Sequence, residues 1–134
     1  MNRRSILVAL LAVVALAHRA PAQAPSGAAN PVGVWRGTSL CLVKPSACHD
    51  EVVVYRITKV KGGDSLSMDA RKIVAGKEEE MGVLPCWYAT QDASLTCTMR
   101  NGVWRFTLRR DSLVGELRLP DNTKFRDVRT IRAR

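Results

Sequence analysis

Beyond residue 31 the apolar and polar side chains alternate in short runs, and no stretch sustains an apolar stripe at helical period. Alternation at period two marks a strand with one buried face and one wet face. Eight such runs are legible: Val32–Leu42, Glu51–Val60, Ser65–Val74, Glu80–Ala89, Ser94–Arg100, Val103–Arg109, Leu113–Leu119 and Lys124–Arg132. Turn-forming residues separate them, among them Lys61-Gly62-Gly63-Asp64, Ala75-Gly76-Lys77, Gln91-Asp92 and Pro120-Asp121-Asn122-Thr123. Asn101-Gly102 predicts a two-residue type I′ hairpin, because both positions of that turn need positive φ.

Eight strands joined by short loops make an all-β antiparallel meander. A meander either stacks as an open two-sheet sandwich or closes into an up-and-down barrel. Closure removes the exposed edges and is the expected form. The alternation assigns an inward face of Val53, Tyr55 and Ile57, then Leu84 and Tyr88 beside Cys86, then Leu95 and Met99 beside Cys97. It continues with Trp104, Phe106 and Leu108, then Leu113, Leu117 and Leu119, and ends on Phe125, Arg129 and Ile131. The other face of the last run is Lys124, Arg126, Thr130 and Arg132, interrupted only by Val128.

Residues 1–22 read as an export signal: Arg3-Arg4, an apolar run from Ile6 to Ala17, then Ala20-Pro21-Ala22 with cleavage expected after Ala22. A membrane span needs about 20 apolar residues, more than this run supplies. Residues 23–31 read as a flexible lead-in and 32–134 as a single domain. Cleavage removes three of the 21 basic side chains, so the net charge falls from +9 to +6. No Lys/Arg run is interleaved with aromatics, so nucleic acid is not an expected partner.

Four cysteines in an exported chain predict two disulfides in an oxidising compartment, periplasmic or extracellular. Cys41 and Cys48 flank a short loop. Cys86 and Cys97 lie symmetrically about Gln91-Asp92, so a hairpin with the loop Thr90–Ala93 sets them opposite each other as a non-hydrogen-bonded pair. No Cys-x-x-Cys spacing points to zinc, and nothing points to another cofactor. His49, in Cys48-His49-Asp50-Glu51, is the one histidine beyond the signal, and no nucleophile accompanies it. Glu78-Glu79-Glu80 reads as a solvated turn. These features indicate a protein that is not an enzyme.

Gly33-Val34-Trp35 opening the first strand, with Arg129 inward on the last, resembles the lipocalin and wider calycin pattern. In those families an early Gly-x-Trp lays its indole across the closed end of an eight-stranded barrel, and a basic side chain from the final strand packs over it. The resemblance implies that Trp35 and Arg129 are neighbours, sharing a cation–π contact of about 0.5–2 kcal/mol. It further implies a binding protein for a small apolar ligand at the open end. The chain is shorter than a typical lipocalin and has no helix before the last strand.

The expected lining of any pocket is Trp35, Tyr55, Tyr88, Trp104, Phe106 and Phe125 with Arg129. An interior of eight strands is just wide enough for side chains to fill. A solid core would turn the expectation to a protein-binding module, an exported inhibitor or a partner of an envelope protein. A carrier should hold a cavity above about 300 Å³.

Overall fold

The structure, a computed structural model, describes residues 29–134. The expected export signal and most of the lead-in lie outside these described residues. Eight strands follow in chain order: β1 (Gly33–Cys41), β2 (Glu51–Lys59), β3 (Leu66–Val74), β4 (Lys77–Ala89), β5 (Ser94–Met99), β6 (Gly102–Arg109), β7 (Ser112–Arg118) and β8 (Lys124–Arg132). Each pairs antiparallel with the next, and β1 pairs with β8. The meander therefore closes as an up-and-down barrel rather than a two-sheet sandwich, and no strand edge is left free.

Two connections differ from expectation. β4 starts at Lys77 because Ala75 and Gly76 alone turn the chain, with φ of 50° and 77°, the positive values a two-residue hairpin demands. The acidic run Glu78-Glu79-Glu80 thus lies on a strand, and Glu78 accepts two hydrogen bonds from Arg56 at 2.8 and 2.9 Å. The hairpin expected at Asn101-Gly102 sits one residue earlier, with Met99 and Gly102 paired and neither Asn101 nor Gly102 at positive φ. Gly102 serves close packing instead: a Cβ there would lie 2.8 Å from both the Arg118 carbonyl oxygen and Leu117 Cδ1.

Both expected disulfides are present. Cys86 and Cys97 face each other across β4 and β5 with Cα atoms 4.1 Å apart, the close approach of a non-hydrogen-bonded pair. Cys41–Cys48 staples the β1–β2 connection. Two such bridges fit an oxidising environment.

The last strand carries the main correction. Leu117 pairs with Arg126 and Arg118 with Lys124, which leaves Phe125 as an extra residue in β8. A bulge of this kind re-aims the strand, and one inserted residue exchanges the inner and outer faces beyond it. Val128 and Thr130 are buried, with Arg126 and Arg132 on their face; Arg129 is exposed and Ile131 is 67 % exposed. The expectation of Arg129 and Ile131 inward, with Arg126, Thr130 and Arg132 outward, is therefore reversed.

The same reversal decides which cation meets Trp35. The indole is fully buried, and its Nε1–H donates to the Pro31 carbonyl at 2.8 Å. Over its face lies the guanidinium of Arg132, 4.2 Å from the ring centroid, not that of Arg129. Arg132 also donates through Nη1 to Val32 O at 2.8 Å and through Nη2 to Asn30 O at 2.6 Å. Residues 29–31, expected within a flexible lead-in, are thereby tied to the barrel, and Ala29 packs against its core. This end is sealed.

Arg36, Arg56, Arg71, Arg105, Glu116 and Arg129 stand on the outer face beside exposed Val52, Val83, Trp87 and Val114, while the packed core within is apolar. Among the described residues no helix is long and apolar enough to cross a membrane.

Arg132→Ala is expected to cost about 2 kcal/mol or more, from a lost cation–π contact and two charge-assisted hydrogen bonds. Arg129→Ala should stay within about 0.5 kcal/mol. Thermal unfolding of the two variants checks the assignment, since each kcal/mol lowers Tm by roughly 4–8 °C in a domain of this size. Equal losses would contradict it.

Candidate functional site

The half of the barrel next to Trp35 is solid, filled by side chains such as Ile57, Leu66, Leu95, Phe106 and Leu113. The other half is not. Near the β1–β2, β3–β4, β5–β6 and β7–β8 connections lies a cavity of about 240 Å³, walled by Tyr55, Met68, Leu84, Met99, Trp104 and Leu117 among others. The volume falls short of the roughly 300 Å³ expected above of a carrier, which counts against one for a drug-sized ligand. It exceeds the roughly 150 Å³ of an apolar cavity that admits benzene.

Two bulges shape this space. Ala70 pairs with Gly82 and Arg71 with Glu80, so Met81 is the extra residue of β4, as Phe125 is of β8. Gly82, after Met81, takes a φ of 144° that glycine adopts readily and other residues rarely do. Each bulge brings two consecutive residues to the cavity, Met81-Gly82 from one wall and Phe125-Arg126 from the wall four strands away. Bulges beside binding sites commonly serve this purpose. Three methionines, Met68, Met81 and Met99, give the lining soft, adaptable surface.

A polar cluster lies on one side of the cavity. Arg126 Nη1 donates to His49 O at 3.0 Å and to Ser39 Oγ at 3.2 Å, and stands 3.3 Å from Glu51 Oε2. Both partners of the ion pair are largely withdrawn from solvent, with 12 % and 19 % of the side-chain surface exposed. The Cys41–Cys48 bridge, together with a 2.8 Å hydrogen bond from Cys41 N–H to Asp50 Oδ1, holds the connection that presents His49 and Glu51. Among the described residues no group of three or more His, Cys, Asp or Glu is placed to hold a metal ion.

Of the residues expected to line a pocket, Tyr55, Trp104 and Phe125 do so. Phe106 lies beneath them in the core, stacked on Trp104 at 5.8 Å and edge-on to Tyr55 at 6.0 Å. Trp35 belongs to the sealed end. Tyr88 borders a shallow depression near Pro31 and Val32 on that same end. Arg129 points away from the interior altogether. Ser39, Glu51, Met81 and Arg126 line the cavity without having been expected there. A glycine inside a strand pattern, Gly82, was the available signal for the β4 bulge.

Burial drives the Tyr55 phenol above its ordinary pKa; Arg126 opposes the shift, Glu51 adds to it, and a Ser39 hydrogen bond opposes it. The group therefore stays a neutral hydrogen-bonding hydroxyl at physiological pH. Above about pH 10 the unfolded chain loses this proton while the folded chain retains it, so stability falls as pH rises, by up to about 1.4 kcal/mol per pH unit. Tyr55→Phe is expected to flatten that decline. Urea unfolding between about pH 9 and 11 measures it; an unchanged slope would mean that Tyr55 ionises freely in the folded barrel.

In comparisons with known proteins, no family model, no curated protein and no solved structure matches the chain.

Proposed function

We propose that this barrel is a non-enzymatic binding protein, lipocalin-like in plan, that holds a compact and mostly apolar small molecule at its open end. One observation carries the reading: a barrel narrow enough to be filled is filled at one end only, and the other end keeps an apolar hollow of about 240 Å³. Leaving such a hollow in place of packed side chains forgoes stability on the order of a few kcal/mol. A sequence that bears that cost has a use for the space. The size selects a ligand on the scale of one substituted ring or a short alkyl chain. An exported setting, periplasmic or extracellular, accords with the two disulfides and with the apolar run near the N-terminus.

A second reading, a protein-binding module, draws on the outer surface of β4. Val83, Pro85 and Trp87 point the same way along this strand, with Val83 59 % and Trp87 51 % exposed. Loss of an envelope partner in a pull-down with Trp87→Ser would support it; identical recovery by both proteins would retire it.

The carrier reading predicts saturable binding of a small apolar probe such as para-ethyltoluene, with a Kd on the order of 1–100 μM. Ala70 lines the cavity and is 7 % exposed. Ala70→Phe should fill the hollow and abolish binding while the barrel still folds. Calorimetric titration of both proteins decides the matter. Absence of saturable binding in the unaltered protein would sink the reading.

A further inference from the structure

Arg126 uses only part of its hydrogen-bonding capacity. Its side-chain hydrogen bonds and its ion pair all run through Nη1, to His49 O, to Ser39 O and Oγ, and to Glu51 Oε2, while the guanidinium carbon lies 6.0 Å from the Phe125 ring centroid. A guanidinium carries five N–H donors, so Nε–H and both Nη2–H groups have no partner among the described residues. On the Glu51 carboxylate, Oε1 likewise accepts no hydrogen bond there, and Oε2 is engaged only by Arg126. No buried side-chain nitrogen or oxygen lacks a partner among the described residues. The spare atoms are therefore reached by solvent, and the side chains that bear them line the cavity. Arg126, with donors to spare, and Glu51, with an acceptor to spare, thus both line an otherwise apolar pocket.

The charge balance of this cluster is its second feature. Arg126 contributes +1 and Glu51 −1, and Ser39 and Tyr55 are neutral, so the net charge is zero. A carboxylate ligand would leave water to meet a guanidinium already paired, and would stand against the Glu51 carboxylate. Burying a charge without a partner of its own is costly. A neutral head group that both accepts and donates meets neither penalty. Its carbonyl takes the free Arg126 N–H groups, its N–H goes to Glu51 Oε1, and each displaces a water without leaving a charge unpaired.

We propose that the ligand of this pocket is a neutral amphiphile with an apolar body and an amide-like head, received by the paired Arg126 and Glu51. The assignment rests on the carrier reading above and names the chemical class that it leaves open. Selectivity against the corresponding acid comes from Glu51, which supplies an acceptor for the amide and repels the carboxylate. Glu51 is thus a specificity-determining residue, and Arg126 an anchoring one.

The test compares three probes of similar shape, para-ethylbenzamide, para-ethylbenzoate and para-ethyltoluene, by calorimetric titration at neutral pH. The amide is expected to bind roughly tenfold more tightly than either of the others. Glu51→Gln removes the repulsion and leaves a net positive site, so the benzoate should gain on the amide by roughly tenfold or more and overtake it. Arg126→Met should abolish the advantage of the amide over the hydrocarbon. Thermal unfolding monitored by circular dichroism establishes that each variant is folded, and Glu51→Gln, nearly isosteric, serves if Arg126→Met is not. Tightest binding of the benzoate by the unaltered protein would overturn the inference, as would an unchanged amide-to-benzoate ratio in Glu51→Gln. Failure of all three probes would instead overturn the carrier reading on which it rests.

Discussion

In a closed barrel each strand has one inner and one outer face, and the alternation of side chains admits no compromise between them. A single inserted residue exchanges the two faces for the rest of the strand. Phe125 is that residue in β8, and most of what distinguishes this barrel depends on it. Past Phe125, Arg126, Val128, Thr130 and Arg132 form the inner row. Two arginines thus stand on one face of one strand, at opposite ends of the interior. The bend also lets Phe125 and Arg126 enter the cavity together. Without the bulge the strand would present Arg129 and Ile131 inward, and neither end could be built as it is.

The two arginines do different work because their surroundings differ. Arg132 meets a buried indole and two backbone carbonyls from residues 30 and 32, and its donors are spent on closing the barrel. Thr130, the buried polar neighbour on the same row, is satisfied by donating to Leu113 O at 2.8 Å. Arg126 meets a carboxylate, a hydroxyl and two carbonyls, all at one nitrogen, and its other donors have no hydrogen-bond partner among the described residues. Between the two ends, apolar side chains fill the barrel. The result is one sealed end, one solid middle and one polar-edged hollow. The Cys41–Cys48 staple belongs to the hollow end, since it fixes the loop whose carbonyl at His49 orients Arg126.

Most of the architecture is legible in the sequence. Eight strands and their order follow from period-two runs, the disulfides from the short loop between Cys41 and Cys48 and the symmetry of Cys86 and Cys97 about their hairpin, and closure over the open sandwich from the need to cover strand edges. On β8 a local insertion breaks the period. Anchoring the last strand on Phe125 made Arg129 inward, whereas the apolar Val128 was the residue that kept the true phase. At Asn101-Gly102 the dipeptide suggests a turn glycine, while its absent side chain is needed for the approach of the β7 backbone. The candidate site was only partly legible. Tyr55, Trp104 and Phe125 carry the apolar signature of a pocket, but Ser39, Glu51 and Arg126 gain their meaning from contacts between β1, β2 and β8. β8 is distant in sequence from β1 and β2, and no local pattern announces their meeting.

The central claim is that the open end is a site occupied in use rather than a packing fault. It is tested most directly by native mass spectrometry of the protein purified from the host that makes it, set beside the denatured spectrum of the same sample. The account predicts a discrete added mass in the native spectrum, on the order of 100–200 Da for a cavity of this size, that vanishes on denaturation. The denatured chain should also be lighter than its reduced form by four hydrogens, one pair for each disulfide. A native mass equal to that of the bare polypeptide, from a sample never exposed to organic solvent or detergent, would contradict the claim.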